Sequence, residues 1–191
     1  THDQVEAMTV GQRIALMNQG KLQMVDTPYR VYNRPANIFT AKFIGSPSTN
    51  ILNADWADGC LHVLGQKVRL PECWNRVVER SGETQLCLGI RPEHIQLSAG
   101  AVENGLTGRL RYVEDYGNKR GAYISLGGEE VVCMCDRLPC APGGTVSFRL
   151  ESGRIHLFSR TTTDSLGYPD EVEEVPEDWD GSELACEGVS A

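Results

Sequence analysis

One histidine at the start of the chain has the residue type and setting for phosphate chemistry. His2 stands in the segment Thr1-His2-Asp3-Gln4, just ahead of a short helix-forming stretch and an apolar strand. An imidazole titrates near neutral pH, so it can hydrogen-bond a phosphate oxygen or orient a water molecule without a large change of its pKa. A histidine near a chain terminus is also common on surfaces without any function. On residue type alone the surface interpretation is favoured, and the catalytic one stays open.

A second polar group flanks a proline in the middle of the chain, where Arg91 and Glu93 stand on either side of Pro92. Pro92 makes a turn rigid, while Arg91 and Glu93 can pair with each other or bind backbone groups. This predicts a structural role that ties strands together. A ligand site is the less favoured alternative, because exposed Arg and Glu pairs are common on protein surfaces.

Seven cysteines, an odd number without regular spacing, favour reduced thiols over a disulfide framework. Cys133 and Cys135 would share one face of a strand, and Cys140 follows, which is compatible with metal ligation. Histidine partners at zinc-finger spacing are absent from the sequence. Packing in the core is therefore the favoured role for these cysteines, because a small buried thiol behaves as an apolar side chain.

Residues 1–45 combine short apolar strands with helices. Two apolar runs on either side of Gly20 predict a hairpin. Thr27 followed by Pro28 predicts a helix start, because Thr supplies a capping oxygen and Pro suits the first helical position. A second helix is predicted over residues 37–43, and a turn-rich connector follows it. Such apolar faces need a surface on which to pack.

From residue 46 onward the pattern changes to short strands separated by Gly, Pro and Asp, which predicts a small barrel or sandwich. Gly127-Gly128 is interpreted as a hairpin turn between two of these strands. The predicted strands cover residues 51–56, 60–64, 67–70, 84–90, 95–97, 106–113, 122–126, 131–135, 146–150 and 155–158.

The net charge of −8 is concentrated at one end of the chain. Ten of the 26 acidic residues and none of the 18 basic ones lie in residues 164–191, which leaves 16 acidic and 18 basic residues elsewhere. The nearly neutral remainder lacks the basic stripe typical of nucleic-acid binding, so no nucleic-acid partner is expected. Residues 164–191 contain few large apolar side chains, and a mostly disordered acidic tail is predicted.

Residues 1–7 resemble the switch-histidine segment of the ATP-binding subunits of ABC transporters. The likeness is to the sugar-importer (MalK-like) branch, whose members carry an OB-like TOBE regulatory domain. Gly89, Arg91, Pro92 and Glu93 match the Gly-Ile-Arg-Pro-Glu-His signature of that domain, and Gly117 lies in a further similar segment. The resemblance extends through residues 13–17, 18–21, 27–35, 43–47, 113–118 and 154–158.

The resemblance implies a mainly β fold in three parts. Residues 1–45 would be an α/β remnant of the nucleotide-binding domain, residues 46–163 the OB-like TOBE barrel, and residues 164–191 the acidic tail. His2 would contact the γ-phosphate of ATP and position the attacking water. Lys119 and Arg120 stand where relatives often carry Glu, so an inherited contact at that loop is in doubt.

The intact protein is expected to couple hydrolysis of ATP, with Mg, to uptake of a carbohydrate-like solute. By resemblance it would work as a homodimer bound to transmembrane permease subunits, in the cytoplasm at the inner face of the plasma membrane. The present chain has no Gly-x-x-x-x-Gly-Lys-Ser/Thr string. It is therefore expected to be the C-terminal portion of a longer protein, with no cofactor and no ATPase activity of its own.

Two further expectations concern partners. Self-association through the uncovered apolar faces of residues 1–45 is predicted. The alternative function is a stand-alone module that binds small oxyanions such as molybdate, as related barrels do, and a nucleic-acid-binding OB fold is disfavoured by the 7% aromatic content.

Overall fold

The computed structural model describes Thr1 and residues 3–172. His2, with its predicted switch role, and residues 173–191 of the predicted tail lie outside the described residues. The elements follow one another along the chain as α1 (Gln4–Val10), β1 (Ile14–Asn18), β2 (Lys21–Asp26), α2 (Pro28–Asn33), α3 (Ile38–Phe43), β3 (Asn50–Ala57), β4 (Cys60–Val63), β5 (Gln66–Val68), α4 (Glu72–Ser81), β6 (Gln85–Ile90), β7 (Ile95–Ser98), β8 (Leu106–Asp115), β9 (Arg120–Leu126), β10 (Glu129–Cys135), β11 (Thr145–Leu150) and β12 (Ile155–Ser159).

The first 45 residues form a small unit of one hairpin and three short helices. Strands β1 and β2 pair antiparallel, as the apolar runs around Gly20 predict. The side chain of Thr27 caps α2 by accepting from the Arg30 amide, and that of Asn37 caps α3 through the Thr40 amide. This unit has a core of its own, made of Met8, Ile14, Leu16, Val31, Tyr32 and Ile44.

The remaining strands form two five-stranded antiparallel sheets, ordered β10-β9-β8-β11-β7 and β12-β6-β3-β4-β5. One apolar core contains buried side chains from both sheets, including Leu88, Leu110 and Phe148. All ten predicted strands are present, with ends within two residues of the expected positions. Gly127 and Gly128, both with positive φ, connect β9 to β10 as the predicted turn. The prediction of a mainly β fold is confirmed.

Helix α4 is the element that the strand pattern did not predict. It buries Trp74, Val77 and Val78, which lie three and four residues apart on one face. Gly82 ends it in the left-handed conformation that a helix C-terminus favours. The Trp74 indole nitrogen donates to the Ser152 carbonyl over 2.8 Å, so the helix is bonded to the turn between β11 and β12.

Ordered structure continues beyond residue 164, where the sequence predicts the start of the tail. Asp164 bridges to Asn37, and Ser165 bridges to Phe158. The ring of Tyr168 packs edge-on against Trp74, with ring centroids 6.0 Å apart. Residues 164–172 therefore pack against both the barrel and the first 45 residues.

Candidate functional site

The guanidinium of Arg91 lies between the barrel and the first 45 residues, and its side chain is 1% exposed. Nη1 donates to the Ile44 carbonyl over 2.7 Å, and Nη2 donates to the Tyr32 carbonyl over 2.6 Å. The Cζ atom stands 3.5 Å from the centroid of the Tyr32 ring. Burial lowers the pKa of Arg91, and electrostatic interactions with Tyr32 and the Glu93 carboxylate oppose that effect. Arg91 thus joins the two units through directed hydrogen bonds and a cation–ring contact.

Glu93 adds a second contact to Tyr32, whose hydroxyl donates to the Glu93 carboxylate. Pro92 is buried and begins a single 3₁₀ turn, Pro92–His94, which directs Arg91 and Glu93 toward the same tyrosine. We call Arg91, Glu93, Tyr32 and Ile44 the interdomain clamp. The sequence predicts that Arg91 and Glu93 pair with each other or bind backbone groups, and so tie strands together. In the structure Arg91 bonds to the backbone carbonyls of Tyr32 and Ile44. These bonds run to a helix and a loop of residues 1–45, not to another strand.

Gly45 gives the Arg91 guanidinium the space that it occupies. A Cβ atom on Gly45 would lie 2.7 Å from Arg91 Nη1, and the backbone has φ +108°. The Gly45 amide donates to the side-chain oxygen of Gln4 over 3.1 Å. The clamp is therefore linked to the segment that contains His2, because Gln4 lies two residues after His2 in the chain.

A second seam between the two units lies beside the clamp. Arg154 Nη1 donates to the side-chain oxygen of Asn33 over 3.2 Å. Arg34 Nη2 donates to the Val172 carbonyl over 2.9 Å, and its guanidinium stands 5.6 Å from the Tyr168 ring centroid. The end of α2 is thus bonded to the turn that precedes β12 and to the segment that follows β12.

His156 lies beneath this seam with 3% of its surface exposed. Its Nδ1 atom is 2.9 Å from the Tyr168 hydroxyl. Burial, with the positive charge of Arg91 as the next cause, lowers the pKa of His156 well below its ordinary value. Burial also raises the pKa of Tyr168. Both side chains are therefore neutral near pH 7 and meet as a buried hydrogen-bonding pair.

The two glycines of the predicted regulatory motif have different roles. Gly89 lies in β6, where a Cβ atom would stand 2.8 Å from the Phe158 ring and 3.2 Å from His156. Gly117 has φ +86° in the turn between β8 and β9, and its amide donates to Asp115. Gly89 thus supports the packing beside the clamp, whereas Gly117 shapes a loop on another sheet.

The cysteines singled out by the sequence do not converge with other ligands. Cys133 is buried, and its thiol donates to the Ile95 carbonyl over 3.1 Å. Within Thr1 and residues 3–172, no three His, Cys, Asp or Glu side chains come together to hold a metal ion. The Gly-x-x-x-x-Gly-Lys-Ser/Thr string of a phosphate loop is absent from the 191 residues. None of the helices in the described ranges is long and apolar enough to cross a membrane.

Sequence reasoning found Arg91, Pro92, Glu93 and Gly89 but missed Tyr32, the tyrosine on which Arg91 and Glu93 converge. Tyr32 is separated from Arg91 by 59 positions, and no spacing rule relates a helical tyrosine to such a distant arginine. It also missed the His156–Tyr168 pair, because Tyr168 falls in the predicted tail. An aromatic residue inside an acidic, polar segment was the available signal.

Comparison with known proteins gives a consistent family. Residues 88–158 match the model of the TOBE domain. An uncharacterized ABC transporter ATP-binding protein, y4oS of Sinorhizobium fredii, is 40% identical over 85% of this chain and 43% of its own length. The diacetylchitobiose uptake system ATP-binding protein MsiK of Streptomyces coelicolor is 35% identical, over 87% of this chain and 49% of its own. The sn-glycerol-3-phosphate import ATP-binding protein UgpC of Yersinia pestis is 38% identical, over 83% of this chain and 44% of its own length.

The chain spans less than half the length of each of these relatives. Among solved structures, the cytoplasmic molybdate-binding protein ModG is similar with a TM-score of 0.46 and 15% identity, covering 58% of this chain and 95% of that one. That likeness is too distant to support the oxyanion-binding alternative.

Proposed function

This chain belongs with the TOBE-containing ATP-binding proteins of ABC transporters, and we propose that it is the regulatory portion of an importer's ATP-binding subunit. The intact subunit would couple ATP hydrolysis to uptake of a carbohydrate-like solute. The observation that carries this proposal is the interdomain clamp, in which the TOBE signature residues Arg91 and Glu93 bind Tyr32 of the first 45 residues.

The proposed role of the clamp is to couple the barrel to the switch-histidine segment. Arg91 bonds to the Ile44 carbonyl, the next amide at Gly45 bonds to Gln4, and His2 precedes Gln4 by two residues. A shift of the barrel would therefore move the segment that, by resemblance, positions the attacking water. Such coupling requires that the clamp have two arrangements of similar free energy.

The proposed partner of residues 1–45 is the remainder of the ATP-binding subunit. Six of the seven exposed large apolar side chains among the described residues lie in this unit, at Val5, Val10, Met17, Leu22, Val25 and Phe43. Asp3, Gln4, Met17 and Phe43 line an open cleft beside β1. Exposed apolar surface of this extent is typical of an interface. The isolated chain would cover this surface by self-association, and the intact subunit would cover it with the rest of its own nucleotide-binding domain. The intact subunit would itself work as a homodimer bound to transmembrane permease subunits.

ATP and Mg would bind only to the intact subunit. His2 would face the γ-phosphate, and the phosphate loop and metal-binding carboxylate would come from outside these 191 residues. Residues 46–163 would be the regulatory barrel, with residues 1–45 as the remnant of the catalytic domain and the acidic tail after residue 163.

The test compares the isolated chain with the full-length subunit. We expect no ATPase turnover from the chain alone, and turnover from the full-length subunit that His2→Ala abolishes. Gln19→Ala, in the turn between β1 and β2, is the matched control and should retain activity. Turnover by the isolated chain, or a reading frame upstream of Thr1 without a phosphate-loop motif, would contradict the proposal. Calorimetry of the chain with molybdate tests the oxyanion alternative.

A further inference from the structure

A cluster of tyrosines and carboxylates lies on the outer face of the sheet that contains β8, β9 and β10, away from the interdomain clamp. Tyr112 on β8 pairs with Tyr123 on β9, and their rings stack with centroids 4.3 Å apart and planes 13° apart. The Tyr112 side chain is 43% exposed and is the one exposed large apolar side chain of the described residues outside residues 1–45. One face of its ring is therefore covered by Tyr123, and part of the side chain is exposed to solvent.

Two carboxylates, Glu114 and Glu130, lie on the same face of the sheet as this ring. The Tyr123 hydroxyl donates to Glu114 Oε2 over 2.6 Å, and the Tyr116 hydroxyl donates to the same atom over 2.9 Å. Glu130 lies on β10, two residues from Val132, which pairs with Tyr123, so Glu130 belongs to the same face. The bonds from Tyr123 and Tyr116 lower the pKa of Glu114, which is therefore an anion near neutral pH.

Two carboxylates outnumber the one basic side chain among the charged groups that act on the Tyr112 phenol. Loss of hydration is the first cause that raises the pKa of the Tyr112 phenol, and the charges of Glu130 and Glu114 follow. The positive charge of Arg111 opposes them as the smallest contribution. Lys119 and Arg120 lie at the loop beyond, where Arg120 pairs across the strands with Asp115. An exposed aromatic ring in a negative field attracts a cation.

The same chain shows which cation fits such a constellation. At the interdomain clamp, a guanidinium covers the Tyr32 ring while the Tyr32 hydroxyl donates to Glu93. At the second seam, the Arg34 guanidinium stands over the Tyr168 ring. The outer cluster has the same kind of tyrosine–glutamate hydrogen bond as the clamp, from Tyr123 to Glu114. It also has an exposed ring, that of Tyr112. A planar guanidinium can stack on that ring and bond to a carboxylate at once.

We propose that Tyr112, Glu114 and Glu130 form a docking site for an arginine side chain of a partner protein. This site does not depend on the ATP-binding function proposed above. Glu114 is fixed in place by two phenol hydroxyls, so the partner's guanidinium meets a carboxylate that is already oriented. The partner is therefore a protein that presents an exposed arginine side chain.

The test is an NMR titration of the purified chain with the peptide acetyl-Gly-Gly-Arg-Gly-Gly-amide. The matched ligand control replaces arginine with citrulline, which has nearly the same shape and no charge. We expect the arginine peptide to shift the ring resonances of Tyr112 and Tyr123, and the citrulline peptide to leave them unchanged. Equal responses to both peptides, or arginine-induced shifts confined to other residues, would overturn the proposal.

Variants of the chain test the contribution of the Tyr112 ring separately from that of the Glu114 charge. Tyr112→Ala should weaken peptide binding about fivefold, the factor that corresponds to about 1 kcal/mol for an exposed cation–ring contact. Tyr112→Phe keeps the ring and should bind as the parent chain does, while Glu114→Gln should bind less tightly. Glu79→Gln removes an exposed carboxylate on α4 and should have no effect. Circular dichroism verifies that each variant is folded. Resonances of Tyr112 that respond to trehalose and not to the arginine peptide would identify a sugar site and refute arginine docking.

Discussion

The guanidinium of Arg91 covers the ring of Tyr32 and at the same time donates to the Tyr32 backbone carbonyl over 2.6 Å. One residue of the barrel thus contacts both the side chain and the backbone of one residue in the preceding unit. This double contact fixes the position of α2 against the barrel, because a guanidinium is planar and its donors have fixed directions.

Replacing Arg91 with Ala should strongly destabilise the fold. The carbonyls of Tyr32 and Ile44 would lose their donor in a buried site, at a cost of about 1–3 kcal/mol for each unsatisfied group. We expect the free energy of unfolding to fall by about 3 kcal/mol in urea denaturation. Arg149→Ala removes an exposed arginine and should change the free energy of unfolding by less than about 0.5 kcal/mol. Similar losses for the two variants would show that the clamp contributes little to stability.

Gly45→Ala should destabilise the fold through two separate effects. The backbone at φ +108° is strained for any residue with a Cβ atom, and that atom would lie 2.7 Å from Arg91 Nη1. Gly65→Ala is the matched control, because Gly65 has φ +82° and no atom within 4 Å of the added Cβ. We expect backbone strain to lower the free energy of unfolding of both variants by about 1 kcal/mol. The steric clash should lower that of Gly45→Ala by at least about 1 kcal/mol more. Equal losses in thermal or urea denaturation would contradict the steric role of Gly45.

The strands and the candidate clamp residues were predictable for different reasons. Each strand has local alternation and a Gly, Pro or Asp turn beside it, so ten segments could be recognised without knowing their neighbours. Arg91 and Glu93 stand out because a proline fixes the turn between them. Their partner Tyr32 could not be identified, since its contact depends on how two units pack and no local pattern encodes that packing.

Helix α4 shows where pattern reading failed although the signals were present. Trp74, Val77 and Val78 have helical spacing, Pro71 precedes the helix, and Gly82 ends it. The segment lies among short strands, so the strand pattern around it dominated the interpretation. His2 illustrates the opposite case, because its switch role rests on resemblance and stays a prediction.

Stability should decrease as the pH falls below neutrality, with His156 as one cause. Burial first, then the charges of Arg91, His94 and Arg154, lower the pKa of His156 in the folded chain. In the unfolded chain an imidazole takes up a proton as the pH falls through about 6.5. The unfolded state therefore binds more protons below that pH, and the free energy of unfolding falls by up to about 1.4 kcal/mol per pH unit.

His156→Gln isolates this contribution from the carboxyl groups that also titrate at lower pH. The variant lacks the imidazole, so its stability deficit relative to the parent chain should narrow as the pH falls below about 6.5. Urea midpoints measured between about pH 7.5 and pH 5.5 give the comparison. A deficit that stays constant over this range would show that His156 does not titrate differently in the two states.

The hydrogen bond from Tyr32 to Glu93 can be measured as a coupling between the two units. Tyr32→Phe keeps the ring beneath Arg91 and removes the hydroxyl, while Glu93→Gln removes the carboxylate charge. In a double-mutant cycle the coupling free energy should be about 1.5 kcal/mol, because the bond is charge-assisted. The control cycle pairs Tyr32→Phe with Glu129→Gln, an exposed residue on β10, and should give less than about 0.5 kcal/mol. If the two cycles agree, Glu93 does not hold the first 45 residues against the barrel, and the proposed coupling must rest on Arg91 alone.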